Sequence, residues 1–283
     1  VRQYPAMDQE LPFVYTIGSL HRLKTYTGNN PFNSEPLVEI PKVPAKDGKA
    51  QWTTFFASEH WAALVDDEDW GLGVIHPGVV RFLGGFYGKP NVGGPDDDPN
   101  GYIAPVRQEV LDHNIVYEFR YTLVLDTLVN IRKEAYRQRP QSVLPDYRFK
   151  NDRQHWWFHN AVDTGYPIRG HLQVKVEEDD PQLYGPEGLW DAKDAPTLYI
   201  RAAYHTKNKF AVVFWETTDQ PGFRSEQSMK FSIVPDGEIR TYSVDLSASP
   251  TYRGKIRRLR FDPVEIGTTG ERVKIESISV RKK

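Results

Sequence analysis

The chain has 283 residues, 36 Lys and Arg against 38 Asp and Glu, eight His, no Cys, seven Trp and fifteen Tyr. A formal charge of −2, with basic residues scattered among acids, excludes the cationic stripe that phosphate backbones select, so nucleic acid is not an expected partner. No apolar run reaches the roughly 20 residues of a membrane span, and without cysteine there is no disulfide, thiol nucleophile or thiolate metal ligand.

The length allows two domains, each with enough residues to bury a core. No leader precedes Val1, so a signal peptide, if encoded, is expected to have been removed or to lie outside this sequence, and the chain is expected to start inside a larger protein. After a β-leaning run at Phe13-Val14-Tyr15-Thr16-Ile17, Pro31, Pro36, Pro41 and Pro44 resist helix and central strand alike and predict a long loop. Trp61-Ala62-Ala63-Leu64-Val65 and Trp70-Gly71-Leu72-Gly73-Val74-Ile75, on either side of Asp66-Asp67-Glu68-Asp69, predict a hairpin. Ile115, Tyr117, Phe119, Tyr121, Leu123 and Leu125 alternate as one face of a strand, with Glu118, Arg120 and Thr122 on the other. Asp126 to Arg139 could extend this strand, but Leu128, Ile131 and Ala135 fall at helical spacing and favour a short helix, and Pro140 ends whichever it is.

A polar, Pro-bearing stretch over 138–152 marks the expected boundary between a first part, 1–150, and a second, 151–283. Beyond it strands are read at Leu172–Val176, at Phe210, Val212 and Phe214, at Met229, Phe231 and Ile233, and at Tyr242, Val244 and Leu246. Val273 and Ile275 share one phase while Ile278 and Val280 take the other, which predicts a β-bulge near Glu276-Ser277. The expected fold is all-β: two consecutive β-sandwich parts, jelly-roll-like, with little helix.

The second part carries Ile233-Val234-Pro235-Asp236-Gly237, Tyr242-Ser243-Val244-Asp245-Leu246-Ser247, Tyr252-Arg253-Gly254, Leu259-Arg260-Phe261-Asp262-Pro263 and a final strand, in that order. This stretch, Ala192 to Val280, resembles the carbohydrate-binding-like β-sandwich modules appended to secreted bacterial polysaccharide-degrading enzymes. Tyr252 stands where the pattern has Trp, and Phe261 where an aliphatic residue is common. In the first part, Gln9-Glu10-Leu11-Pro12 and Glu59-His60-Trp61-Ala62-Ala63-Leu64-Val65-Asp66-Asp67 resemble β-rich regions beside glycosidase domains. The resemblance implies a secreted, periplasmic or cell-surface bacterial protein, with a polysaccharide or oligosaccharide as partner and a larger multi-domain enzyme as the setting in which such modules occur.

Candidate residues follow from side-chain chemistry. In His155-Trp156-Trp157-Phe158-His159-Asn160, adjacent residues of a strand face opposite ways, so one of Trp156 and Trp157 enters the core and the other, with His159, is free to stack on a sugar; the alternative is that both tryptophans glue the two parts together. Tyr184 and Trp190, flanking Gly185-Pro186-Glu187-Gly188, are expected to form a loop platform. If the chain is instead a glycoside hydrolase or polysaccharide lyase, its site is expected at the junction of the two parts, with Glu109, Asp112 and His113 catalytic. Glu59, His60 and His76 lie at strand ends where the imidazoles could meet, against the plain reading of solvated or structurally bonded histidines. Asp96, Asp97 and Asp98 form an oxygen-rich loop of the kind calcium takes, although the regular spacing of a calcium loop is missing and a solvated turn is the alternative. A structural module that binds no sugar is the third reading.

Overall fold

The computed structural model describes residues 5–44, 46, 51–93, 99–112, 116–141, 143–163 and 167–281. They form two compact units with interleaved sequence: Asp8–Arg107 with Glu118–Ser142 make the N-terminal unit, and Val1–Met7, Gln108–Tyr117 and Val143–Lys283 belong to the C-terminal one. The expected single boundary near residue 150 differs from this division, because Gln108–Tyr117 goes with the later sequence.

The N-terminal unit contains β1 (Met7–Glu10), β2 (Val14–Ile17), β3 (Arg22–Thr25), β4 (Val38–Glu39), β5 (Thr53–Phe56), β6 (Trp61–Val65), β7 (Trp70–Ile75), β8 (Arg81–Tyr87), β9 (Asn100–Glu109), β10 (Thr122–Thr127) and α1 (Leu128–Arg137). One sheet runs β1-β9-β8-β5, with β2 also on β9, and the other runs β10-β7-β6-β3-β4. Alternation along β6 divides its side chains. Ala62 and Leu64 join Leu23, Phe55, Phe82 and Ile103 between the sheets, while Trp61, Ala63 and Val65 pack under α1 with Leu128, Ile131 and Ala135. That double burial explains the unbroken apolar run of β6. Helix and sheet meet closely: a Cβ on Gly73 would stand 2.3 Å from Ile131 Cγ2.

The hairpin is present as expected, Trp61 opposite Ile75 and Val65 opposite Gly71, its turn closed by Asp66 Oδ1 accepting from the amides of Glu68 and Trp70. The helix is also present, capped by Thr127. The alternating strand is shorter than the pattern suggests, since β10 covers only Thr122–Thr127. Its apolar face is not buried: Leu123 and Leu125 are 46% and 61% exposed. They share a face with Val74 and Leu72 through β-pairing, but β10 is a rim strand and its flank is left uncovered. The proline-rich segment holds the two-residue strand β4, placed at the rim where missing amide donors cost least.

The C-terminal unit contains β11 (Asp146–Arg148), β12 (Trp157–His159), β13 (Ala161–Asp163), β14 (Leu172–Val176), β15 (Gln182–Tyr184), β16 (Trp190–Asp191), β17 (Thr197–His205), β18 (Phe210–Thr217), β19 (Ser228–Ser232), β20 (Arg240–Asp245), β21 (Lys255–Asp262) and β22 (Arg272–Ser279). Sheets β13-β14-β22-β17-β20 and β12-β15-β21-β18-β19 are antiparallel; β11 joins the first on β22 and β16 the second on β21. Val174, Ile200, Tyr204 and Ile275 from the first sheet and Leu183, Val213, Trp215 and Phe261 from the second share one core, so the unit is a β-sandwich. The bulge occurs where the phase change predicts it. Arg201 pairs with Ser277 and Ala202 with Ile275, leaving Glu276 as the extra residue of β22.

Gln108–Tyr117 is fixed in this unit by a buried cation. Arg153, 1% exposed, donates to Val110 O at 3.0 Å, to Asp163 Oδ2 at 3.2 Å and to Asp112. Such a charge is stable in a core only when partnered on several sides, as it is here.

Candidate functional site

The sheet β12-β15-β21-β18-β19 buries one side of each strand and presents the other. Inward go Phe158, Leu183, Leu259, Phe261, Val213 and Trp215; outward go Trp157, Tyr184, Arg258, Arg260 and Phe214. The β-register lines up the outward set across all five strands. Trp157 is opposite Tyr184, Tyr184 opposite Arg260, Arg260 opposite Phe214, and Phe214 opposite Ser228.

Within this row Trp157 and Tyr184 stack with centroids 4.1 Å apart and planes 10° apart, so the two rings close their mutual faces and form a half-buried wall instead of a flat platform. The Arg258 guanidinium lies 5.4 Å from each ring, and that of Arg260 lies 5.9 Å from Tyr184 and 4.6 Å from Phe214. Phe223 meets Tyr184 edge-on at 5.5 Å. Arg260 is held by a fork of bonds to Asp262, at 2.7 and 2.6 Å, and by Asp180 at 2.8 Å. Burial pushes the Asp262 carboxyl up to about 6, outweighing the opposite pull of Arg260. The Tyr184 hydroxyl is raised chiefly by burial and donates to Gln182 Oε1. His159, opposite Gln182 on the rim strand β12, is exposed. The result is an array of aromatic edges, guanidinium donors and carboxylate acceptors fixed on a rigid sheet.

Of the residues expected to engage a ligand, Trp157, Tyr184 and His159 lie on this face. Trp156 and Trp190 do not: they are 1% and 3% exposed, and both belong to the sandwich core. Trp190 is corrected from loop platform to strand residue, because it pairs with Ile256 in β16, a contact that its Gly-Pro-rich flank hides. Trp156 follows the predicted division, one tryptophan inside and its neighbour outside. Arg258, Arg260, Asp262 and Phe214 are absent from the sequence-derived set. The signal was present in Arg258-Leu259-Arg260-Phe261-Asp262, where apolar residues alternate with charged ones that must face the other way.

Glu109 is buried, and its carboxylate meets His155 Nδ1. Tyr117 stands edge-on to that imidazole at 6.3 Å. Asp112 is paired with Arg153. His113, Asp96, Asp97 and Asp98 lie outside the described residues. In the N-terminal unit Glu59 is fully engaged, accepting from Trp61 Nε1, Tyr136 Oη, the Phe32 amide and both sides of the Arg132 guanidinium. The backbones of the two histidines are joined, the His76 amide donating to His60 O at 2.9 Å. Burial, with His76 and Arg107 adding to it, holds the His60 imidazole down to about 4, and its Nδ1 accepts from the Gly78 amide at 2.7 Å, as a neutral ring must. Among the described residues no three His, Asp or Glu side chains gather as a metal site.

No protein-family model matches the sequence, and no curated protein matches it. Solved structures similar to it include a family 29 carbohydrate-binding module, 14% identical over 48% of this chain and 91% of that one with a TM-score of 0.34. They also include the family 11 carbohydrate-binding module of a cellulosomal cellulase from Clostridium thermocellum, 12% identical over 50% and 91% with a TM-score of 0.29. A carbohydrate-binding module of the β-sandwich superfamily is 12% identical over 92% and 96%, with a TM-score of 0.30. At such identities and scores the similarity assigns no ligand to this chain.

Proposed function

We propose that the chain binds a polysaccharide or oligosaccharide on the outer face of the β12-β15-β21-β18-β19 sheet, as a secreted or cell-surface component of a bacterial glycan-degrading system. The observation that carries this reading is the cross-strand row of Trp157, Tyr184, Arg260 and Phe214, aromatic and charged on a face whose reverse is the core. A pyranose offers apolar C–H edges and a ring of hydroxyls; the outer flank of the Trp157–Tyr184 wall suits the first, and Arg258 and Arg260 suit the second. The test is retention on an array of plant and algal polysaccharides. Wild-type protein is retained on at least one glycan, and Trp157→Ala weakens that retention by about tenfold or more, the cost of one lost anchor of roughly 1.4 kcal/mol. Equal retention of wild type and variant would remove the site.

A second reading, cleavage of a glycan, rests on the Glu109–His155–Tyr117 cluster, which sets a carboxylate, an imidazole and a phenol side by side. New reducing or unsaturated ends in the same incubation, lost in His155→Ala, would establish it.

A further inference from the structure

The N-terminal unit has a cleft of about 840 Å³ lined by His76, Pro77, Arg107, Glu118, Phe119, Arg120, Tyr121, Thr122 and Gln138. This volume falls within the roughly 300–1,000 Å³ of small-ligand sites. Its chemistry is set by the residues just before β10, whose alternation reads as a core strand. Phe119 and Tyr121 are instead 38% and 43% exposed, and their rings lie parallel within 15°, centroids 6.1 Å apart. Beside this partly exposed aromatic pair is Arg120, exposed and making no ion pair or hydrogen bond among the described residues. Arg107, also in the lining, donates to Gly78 O at 3.3 Å, which places its guanidinium by the His76-Pro77-Gly78 turn. The lining thus brings two guanidinium groups, Arg107 and Arg120, and one carboxylate, Glu118, to the cleft.

We propose that this cleft is a second binding site, separate from the sheet face of the C-terminal unit, and that it takes an acidic saccharide, a sugar ring bearing a carboxylate. The aromatic pair offers the apolar contact that a pyranose ring needs. A guanidinium matches a carboxylate with two parallel N–H donors, and Arg120, which has no partner to give up among the described residues, takes that role. Single-stranded nucleic acid would also use stacking and cations, but it needs a basic track along several phosphates, and here there are two arginines opposed by a glutamate.

Calorimetric titration of the full chain tests the proposal. The probes are oligogalacturonate, oligomannuronate and glucuronate-substituted xylo-oligosaccharide, with their carboxyl-reduced neutral forms and a thymidine octanucleotide. At least one acidic probe is expected to bind and to lose about tenfold or more in affinity when its carboxylates are reduced. Arg120→Gln and Tyr121→Ala are each expected to weaken it to a similar degree, and Trp157→Ala to leave it unchanged. Arg120→Gln alters an exposed side chain, so an unchanged melting temperature confirms that its loss of binding is local. Absence of binding by every acidic probe at millimolar concentration, binding that survives both cleft substitutions, or equal binding of the octanucleotide would each overturn the proposal. Loss of the acidic probe in Trp157→Ala would transfer it to the sheet face, whereas retention on neutral glycans tests that face independently of the cleft.

Discussion

Trp156 and Trp157 are neighbours in sequence and opposites in environment, so they should fail in opposite ways when truncated. Trp156→Ala removes a ring that packs edge-on against Tyr147 and Phe149, and is expected to cost about 3–5 kcal/mol in urea unfolding. Trp157→Ala should cost much less stability while weakening glycan retention. Asp262 carries a prediction with a definite sign. With its carboxyl pushed up from 3.8 to about 6 in the fold, the native state holds a proton between those values that the unfolded chain has released. The resulting stabilisation is fully present below about pH 4 and is lost as pH rises through about 6. Asp262→Asn removes this dependence. Relative to the variant, the wild type should lose on the order of 3 kcal/mol between pH 4 and pH 7, read from denaturant midpoints at each pH.

At the scale of elements, the contact of α1 with β7 is tightly confined. Gly73→Ala sets a methyl against Ile131 Cγ2 and is expected to destabilise by about 1–3 kcal/mol, with Ile131→Ala partly restoring Gly73→Ala in the double variant. Denaturation of the four proteins of this cycle checks it. The elements legible in the sequence were those whose local pattern and tertiary environment agree: the β6–β7 hairpin, whose apolar runs flank an acidic turn, the capped helix, and the β22 bulge, which has to appear as a change of phase. The β10 region was legible only by half. A period of two says which residues share a face, but Leu123 and Leu125 show that it does not say whether that face is covered. The site divides the same way: Trp157 and Tyr184 were found as aromatics, whereas Arg260 and Asp262 acquire meaning only once β-pairing sets them beside those rings.

For the whole molecule, the two units should respond to acid in opposite senses. His60, in the N-terminal unit, is held down to about 4 by burial, so its contribution is present above about pH 6.5 and lost as pH falls through about 4. Asp262, in the C-terminal unit, favours the fold over the same descent. Hydrogen exchange read peptide by peptide at pH 6.5 and pH 4.5, corrected for intrinsic rates, should show protection falling over β6–β8 and rising over β18 and β21; parallel changes in both would contradict this assignment. The interleaving of the chain has a consequence for synthesis. Gln108–Tyr117 leaves the ribosome before the residues that complete the N-terminal unit, while Arg153 and Asp163, its partners in the buried ion cluster, are made later. The segment therefore waits, unpaired, while another unit closes around it in sequence. A fragment begun at residue 143, which keeps β11 and Phe149, would strand the Arg153 charge without Asp112 and Val110, and a peptide spanning 108–117 supplied in trans should restore it.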